Sequence, residues 1–316
     1  MELDIRIYNL NPIKLPSNLK LFTDHICPIL EELFIEGEVL DANRRVVFLV
    51  ISNSLKTLKI DYRLAHSFCG DVDYKFVLHC PNLEYLYLHD DFLAKYSARD
   101  FKVLDYAKIC IGYPCADYAA FDLYGVVIHS NRAFEVLEGL LNVKSLSLSG
   151  GTTKALSYSY ETAQHTSLDD EDEDAQLVRL RNFELYFQFL TCLELGFFTS
   201  ESWNLLTLLL RSSPNLEYLI LKKELDLSSC GYKRVFFWRP EGSVPECLLH
   251  HLKEIDIWGF QGESHELAIV EFFLGHAEVL QKITIHVQEL SPKMILFSEY
   301  VLQIPTSSES CQVEII

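Results

Sequence analysis

The feature that most restricts what this chain can fold into is a recurring phrase, L-x-x-L-x-L. It stands in CPILEELFIEG (27–37), NSLKTLKIDY (53–62), PNLEYLYLHD (81–90) and YAKICIG (106–112). It returns in LLNVKSLSLSG (140–150), FLTCLELGFF (189–198), PNLEYLILKK (214–223), LHHLKEIDIWGF (249–260) and VLQKITIHV (279–287). CQVEII (311–316) offers a last strand, and the six letters PNLEYL occur twice without change. Taking the final apolar pair of each phrase, successive spacings are 25, 28, 23, 37, 47, 26, 36 and 28 residues. Five of these eight fall in the ~20–29 residue period of leucine-rich repeats, and the long gaps read as insertions. FDLYGVVI (121–128) is the candidate for a degenerate extra unit in one of them.

Each x-L-x-L-x segment predicts a strand whose alternate residues enter a core, because side chains in a strand alternate with period two. Helical periodicity stands between the strands. It sets Phe134, Leu137 and Leu140 on one face, Trp203, Leu206 and Leu210 on another after Ser200 or Ser202 as N-cap, and Leu267, Val270 and Leu274 on a third opened by Ser264. Strand, turn and helix at this interval predict an α/β fold, a leucine-rich-repeat solenoid whose curved parallel sheet is backed by helices and irregular segments. A dinucleotide-binding sheet would want a glycine-rich turn after its first strand, which the sequence does not supply. Residues 152–176, TTKALSYSYETAQHTSLDDEDEDAQ, break the rhythm and read as a solvated acidic insertion loop.

Composition narrows the function classes. Apolar residues make up 49% of the 316, enough for a large core. The charge of −18, from 27 basic and 45 acidic residues, argues against nucleic acid or an anionic membrane as partner. No apolar run approaches the ~18–20 residues of a membrane span, and MELDIRIYNL carries charges where a secretory signal is apolar. The nine cysteines are scattered, without a CxxC pair, and read as reduced, buried thiols of an intracellular protein, cytosolic or nuclear. The eleven histidines show no HExxH or HxH, and there is no G-x-S-x-G elbow or P-loop. No catalytic residue, metal or cofactor is therefore expected.

The remaining chemistry is a sheet face. The central outward positions of successive repeats read Phe34, Lys59, Tyr87, Cys110, Ser147, Glu194, Ile220, Asp256 and Thr284. Flanking outward positions add Tyr85, His89, Tyr218, Lys222, Glu254 and Trp258. Exposed aromatic rows are enriched on protein-binding surfaces, so the candidate partner-binding residues are Phe34, Lys59, Tyr85, Tyr87, His89, Glu194, Tyr218, Lys222, Asp256 and Trp258.

One stretch is more specific than the repeats. Residues 238–287 set Trp238 and Pro240, then Val244-Pro245-Glu246-Cys247-Leu248, then Leu252. Ile257-x-Gly259-Phe260-x-Gly262, Glu266 and an apolar helix into Leu280-x-x-Ile283 follow. This resembles the signature of the FBD domain, and the upstream phrases are similar to the repeats of plant F-box/LRR proteins that carry it. The resemblance implies two parts: a repeat region over 1–231 and an FBD domain with terminal strand over 232–316. It implies a non-enzymatic module that recognises a protein, as the substrate-binding part of an F-box subunit in a cullin-type ubiquitin ligase. No helical F-box precedes the strand-like DIRIYNL, so a Skp-type adaptor is implied as partner only where the full-length protein has one. The alternatives are an F-box-less scaffold and a hormone-type ligand sensor, which would need a walled pocket lined with cations.

Overall fold

The computed structural model describes residues 2–7, 24, 28–39, 46–64, 74–90, 94–99, 101–111, 132–165, 185–197, 203–224, 243–287 and 291–316. Eleven strands form one sheet: β1 (Glu2–Ile7), β2 (Glu32–Val39), β4 (Thr57–Leu64), β6 (Tyr85–Asp90), β8 (Tyr106–Ile111), β9 (Ser145–Leu148), β10 (Cys192–Phe197), β11 (Tyr218–Lys223), β12 (Glu254–Trp258), β13 (Lys282–His286) and β14 (Gln312–Ile315). They pair in that order, and all pairings are parallel. Each of the nine phrases supplies one strand, and CQVEII supplies the last. This is the leucine-rich-repeat solenoid that the spacing predicts.

Three leucine columns make the core. Leu33, Leu58, Leu86, Ala107, Leu146, Leu193, Leu219, Ile255 and Ile283 lie side by side across the sheet. Ile35, Ile60, Leu88, Ile109, Leu148, Leu195, Leu221, Ile257 and Ile285 form the next column, and members of both are buried throughout. The apolar residue three before the first column makes the third: Leu30, Leu55, Leu83, Leu104, Val143, Leu190, Leu216, Leu252 and Leu280 are all buried. Burying one such side chain contributes about 1.5–3 kcal/mol, so the columns dominate stability.

The turns before the strands are stitched by their own ladder. The carbonyl of Glu31 accepts from the Lys56 and Thr57 N–H groups at 2.8 and 2.9 Å, and that of Lys56 from Glu84 and Tyr85 at 2.8 and 2.9 Å. Thr191, Glu217 and Lys253 repeat the arrangement further on. The twin PNLEYL phrases add a side chain to it. Asn82 Nδ2 donates to the Asn53 carbonyl at 2.8 Å, and Asn215 Nδ2 to the Gln188 carbonyl at 2.8 Å. Both prolines stand in this turn, since the strands begin four residues after Pro81 and Pro214. Asn82→Ala and Asn215→Ala should each lower stability by about 0.5–1.5 kcal/mol, the net worth of one hydrogen bond. Urea titration should find the two losses alike, and a loss at only one site would break the equivalence.

A second sheet lies behind the first repeats, where helices and irregular segments are expected. It is parallel, in the order β3 (Val46–Ile51), β5 (Tyr74–His79), β7 (Lys95–Arg99). The residues explain it: VVFLVI and YKFVLH are β-branched and aromatic, with period-two burial rather than a helical stripe. Phe48, Phe76 and Tyr96 are neighbours in register, stacked at 4.5 and 5.2 Å between ring centroids. Asp90, at the end of the inward column of β6, is buried and accepts the Ala94 N–H at 2.7 Å and the Tyr96 O–H at 2.6 Å. Burial first, and then the Asp90 carboxylate, hold the Tyr96 phenol well above its ordinary range.

Helices take over beyond β8: α1 (132–138), α2 (Gly150–His165), α3 (Trp203–Arg211), α4 (Glu246–His250), α5 (Ser264–His276) and α6 (Pro292–Val301). The predicted inward residues Phe134, Leu137, Leu140, Trp203, Leu206, Leu210, Val270 and Leu274 are buried, and Leu267 packs half-buried against the core. The N-cap candidates Ser200 and Ser202 lie outside the described residues, whereas α5 has Glu263 rather than Ser264 at its N-cap.

Two expectations need correction. Of the expected loop at 152–176, residues 152–165 are helix, and 166–176 lie outside the described residues. The polar start of this stretch is anchored: Thr152 is buried in the first turn, its hydroxyl accepts the Ile111 N–H at 2.7 Å, and Ala155 and Leu156 enter the interior. Likewise β8 pairs directly with β9, leaving no place in the sheet for a strand between them, while FDLYGVVI itself lies outside the described residues.

Candidate protein-binding face

The other face of the main sheet carries the outward side chains, in three rows fixed by register. The central row reads Phe34, Lys59, Tyr87, Lys108, Ser147, Glu194, Ile220, Asp256, Thr284 and Glu314. Lys108 stands where Cys110 is expected, because Ala107 and Ile109, not Ile109 and Ile111, lie opposite Leu86 and Leu88. The phrase KVLDYAKI aligns with PNLEYLYL in this register, and a small alanine hides the first apolar position. Cys110 lies beside His89 instead.

The ten candidate residues fall into two groups. Phe34, Lys59, Tyr85, Tyr87 and His89 share β2, β4 and β6, while Glu194, Tyr218, Lys222, Asp256 and Trp258 share β10, β11 and β12. Between them β8 and β9 supply Tyr106, Lys108, Cys110, Ser145 and Ser147. In the first group the Lys59 ammonium stands 4.8 Å from the centroid of the Phe34 ring and 5.8 Å from that of Tyr85, within cation–π range. Tyr85 stacks on Tyr106 at 5.2 Å. His89 Nδ1 lies 3.5 Å from the Tyr87 hydroxyl and 3.4 Å from the Asp61 carboxylate.

In the second group Glu194 is clasped from both sides. Ser147 Oγ donates to one carboxylate oxygen at 3.1 Å, and Lys222 Nζ meets the other at 2.9 Å. Trp258 stacks on His286 with ring centroids 3.4 Å apart and planes 7° from parallel, and His286 Nε2 lies 3.5 Å from Asp256. Tyr218 and Trp258 remain 41% and 44% exposed, the large apolar side chains this face leaves most open to solvent.

Burial pushes the Cys110 thiol up to about 11 and raises that of Cys192, the opposite of what a nucleophilic thiolate requires. Burial also takes Cys80 and Cys247 up to about 12. Among the described residues no group of three or more His, Cys, Asp or Glu side chains could hold a metal, and no helix is long and apolar enough to cross a membrane. A groove of about 660 Å³ runs along the turns before the strands, lined by Lys56, Glu84, Asp105, Asn142 and Lys144 among others. Its charges are partly spent on one another, with Lys144 on Asp105 at 2.6 Å and Lys56 on Glu31 at 3.4 Å.

The C-terminal part shows why its signature has that form. Cys247 and Leu248 of α4 and the following Leu252 are buried, and Cys247 Sγ lies 3.4 Å from the Leu210 carbonyl. After β12 the chain turns through Gly259 and Gly262, at φ of 81° and 75°, a region that other residues enter at a steric penalty. Between them Phe260 enters the core beside Phe197 and Phe297. Glu266 is fully buried: its carboxylate accepts the Gln261 and Glu263 N–H groups at 2.8 and 2.9 Å and meets Lys223 Nζ at 2.7 Å. Sequence reasoning missed the Lys223 partner, although its inward place after Leu219 and Leu221 was legible. Trp238 and Pro240 lie outside the described residues.

Comparison with known proteins agrees with this architecture. Residues 239–285 match the FBD family. An Arabidopsis thaliana F-box/FBD/LRR-repeat protein is 26% identical over 291 residues, covering 91% of this chain and 58% of the relative. A second is 24% identical, covering 99% of this chain and 65% of the relative, and a third is 35% identical over 134 residues, covering 41% and 30%. The chain thus spans less than two thirds of the length of these relatives. A parallel leucine-repeat sheet running into an FBD domain is similar, along most of its length, to the F-box/FBD/LRR-repeat proteins of Arabidopsis.

Proposed function

We propose that this chain is a non-enzymatic protein-recognition module whose open sheet face holds a partner protein. Within the full-length protein it serves as the substrate-binding part of an F-box subunit of a cullin-type ubiquitin ligase. We further propose that 1–231 acts as the repeat part and 232–316 as the FBD part. The observation that carries the reading is the open face itself. Its inward side chains are consumed by the core, while its outward ones include two exposed aromatics, Tyr218 and Trp258, of the kind that anchor protein interfaces. The relatives' names supply the ligase context. Two measurements test the two halves. Full-length protein should co-purify with a Skp-type adaptor, and a clean absence of the adaptor would sink the ligase reading. Substrates captured by the same protein should be lost on Tyr87→Ala or Trp258→Ala; retention by both would place recognition elsewhere.

A further inference from the structure

We infer that the β11–β13 part of the open face reads a basic segment of its partner, with an arginine or lysine side chain laid against Trp258 and paired to Asp256. The inference rests on the reading of this face as a protein-binding surface. It starts from charge. The outward positions of β10 to β14 hold four carboxylates, Glu194, Glu254, Asp256 and Glu314, and two ammonium groups, Lys222 and Lys282. Both cations are spent within the face, Lys222 on Glu194 at 2.9 Å and Lys282 on Glu314 at 2.9 Å. That leaves Glu254 and Asp256, on one strand, without an ammonium or guanidinium at ion-pair distance among the described residues. The Asp256 side chain is 43% exposed, with the His286 ring beside it at 3.5 Å and the Lys282 ammonium, held by Glu314, acting on it from beyond ion-pair distance.

The second observation is the aromatic. Trp258 follows Asp256 by two residues and therefore projects from the same side of β12. His286, stacked at 3.4 Å, fixes the indole against the sheet, while 44% of the residue stays exposed. The ammonium of its register neighbour Lys222 is held by Glu194. An immobilised indole beside an exposed carboxylate suits a cation: the ring quadrupole attracts the charge, and the carboxylate accepts its N–H groups. The net charge of −18 acts in the same direction at long range, drawing basic segments in and repelling acidic ones.

The test uses the intact chain and two fluorescein-labelled decapeptides, one alternating Arg with Ala and one alternating Glu with Ala, followed by anisotropy at about 0.15 M salt. The Arg peptide should bind and the Glu peptide should not. Trp258→Ala and Asp256→Asn should each weaken the Arg peptide about 10-fold. Glu84→Gln, which removes the same charge from the turn edge, should leave it within about 2-fold. Thermal melts of the variants should coincide with that of the parent chain, showing that these exposed substitutions leave the fold in place. Equal weakening by Asp256→Asn and Glu84→Gln would mean attraction to net charge alone and overturn the inference, as would binding of the Glu peptide or an unaffected Trp258→Ala. A partner of the full-length protein released by Tyr87→Ala but not by Trp258→Ala or Asp256→Asn would leave protein recognition standing and overturn the basic-segment assignment alone.

Discussion

Glu266→Ala is expected to destabilise the chain by about 3–5 kcal/mol, the range for removing one partner of a buried ion pair. The carboxylate is fully buried and serves three donors at once, the Gln261 and Glu263 N–H groups and the Lys223 ammonium. Its loss strands the two N–H groups and leaves the Lys223 ammonium, in a side chain only 18% exposed, with the Gln261 side-chain oxygen at 3.2 Å in place of a countercharge. Lys223→Met leaves a buried carboxylate with its two backbone donors and should be milder. The double variant Lys223→Met, Glu266→Met removes both charges and should recover part of the Glu266→Ala loss, though the two N–H groups stay orphaned. Urea unfolding followed by circular dichroism measures all three. A Glu266→Ala loss below about 1 kcal/mol would show that water reaches these groups and that the clasp is not a structural tie.

Phe260→Ala should lose a similar amount, about 3–5 kcal/mol, by the removal of a buried aromatic ring. Phe260 is the middle of an aromatic chain that runs from Trp203 through Phe197, at 4.6 Å, to Phe260 at 6.2 Å and on to Phe297 at 6.5 Å. It joins α3 to α6, which stand before and after the stretch that matches the FBD family, so the cavity opens between elements distant in sequence. Because Phe260 and Glu266 hold the same turn, the two losses should not add. A combined Phe260→Ala, Glu266→Ala loss smaller than their sum by more than about 0.5 kcal/mol is expected from equilibrium unfolding. Simple additivity would mean that the turn is anchored at two independent points.

The main sheet was legible because leucine columns write themselves as a period of two inside a period near 25. The second sheet was not, because β3, β5 and β7 contain no leucine phrase and sit where the repeat pattern leads one to expect helices. The register of β8 was obscured by one small residue, Ala107, which breaks the visual rhythm without leaving the column. The start of α2 was misread because Thr152, Thr153 and Ser157 look solvated, whereas all three are buried. The twin phrases offered the opposite lesson. After the shared letters, Asp90 and Lys223 carry opposite charges, yet both continue the inward column. Each is held by internal partners, Asp90 by Tyr96 and Ala94, and Lys223 by Glu266. Which outward residues lie alone and which lie clasped, as Glu194 does between Ser147 and Lys222, depends on strands brought together from distant sequence.

The change of backing along the solenoid has a geometric consequence. A strand occupies about 4.8 Å across a sheet, whereas a helix with its side chains is about 10 Å wide. Where β3, β5 and β7 stand behind β2, β4 and β6, front and back advance at the same pitch, and the stack has no reason to bend. Where α2 to α6 stand behind the later strands, the back advances faster than the front, and each step turns the sheet inward. These widths predict a level wall at the surface bearing Tyr87 and a hollow at the surface bearing Trp258. On that expectation, a partner that touches both would present a straight edge to one and a rounded shoulder to the other.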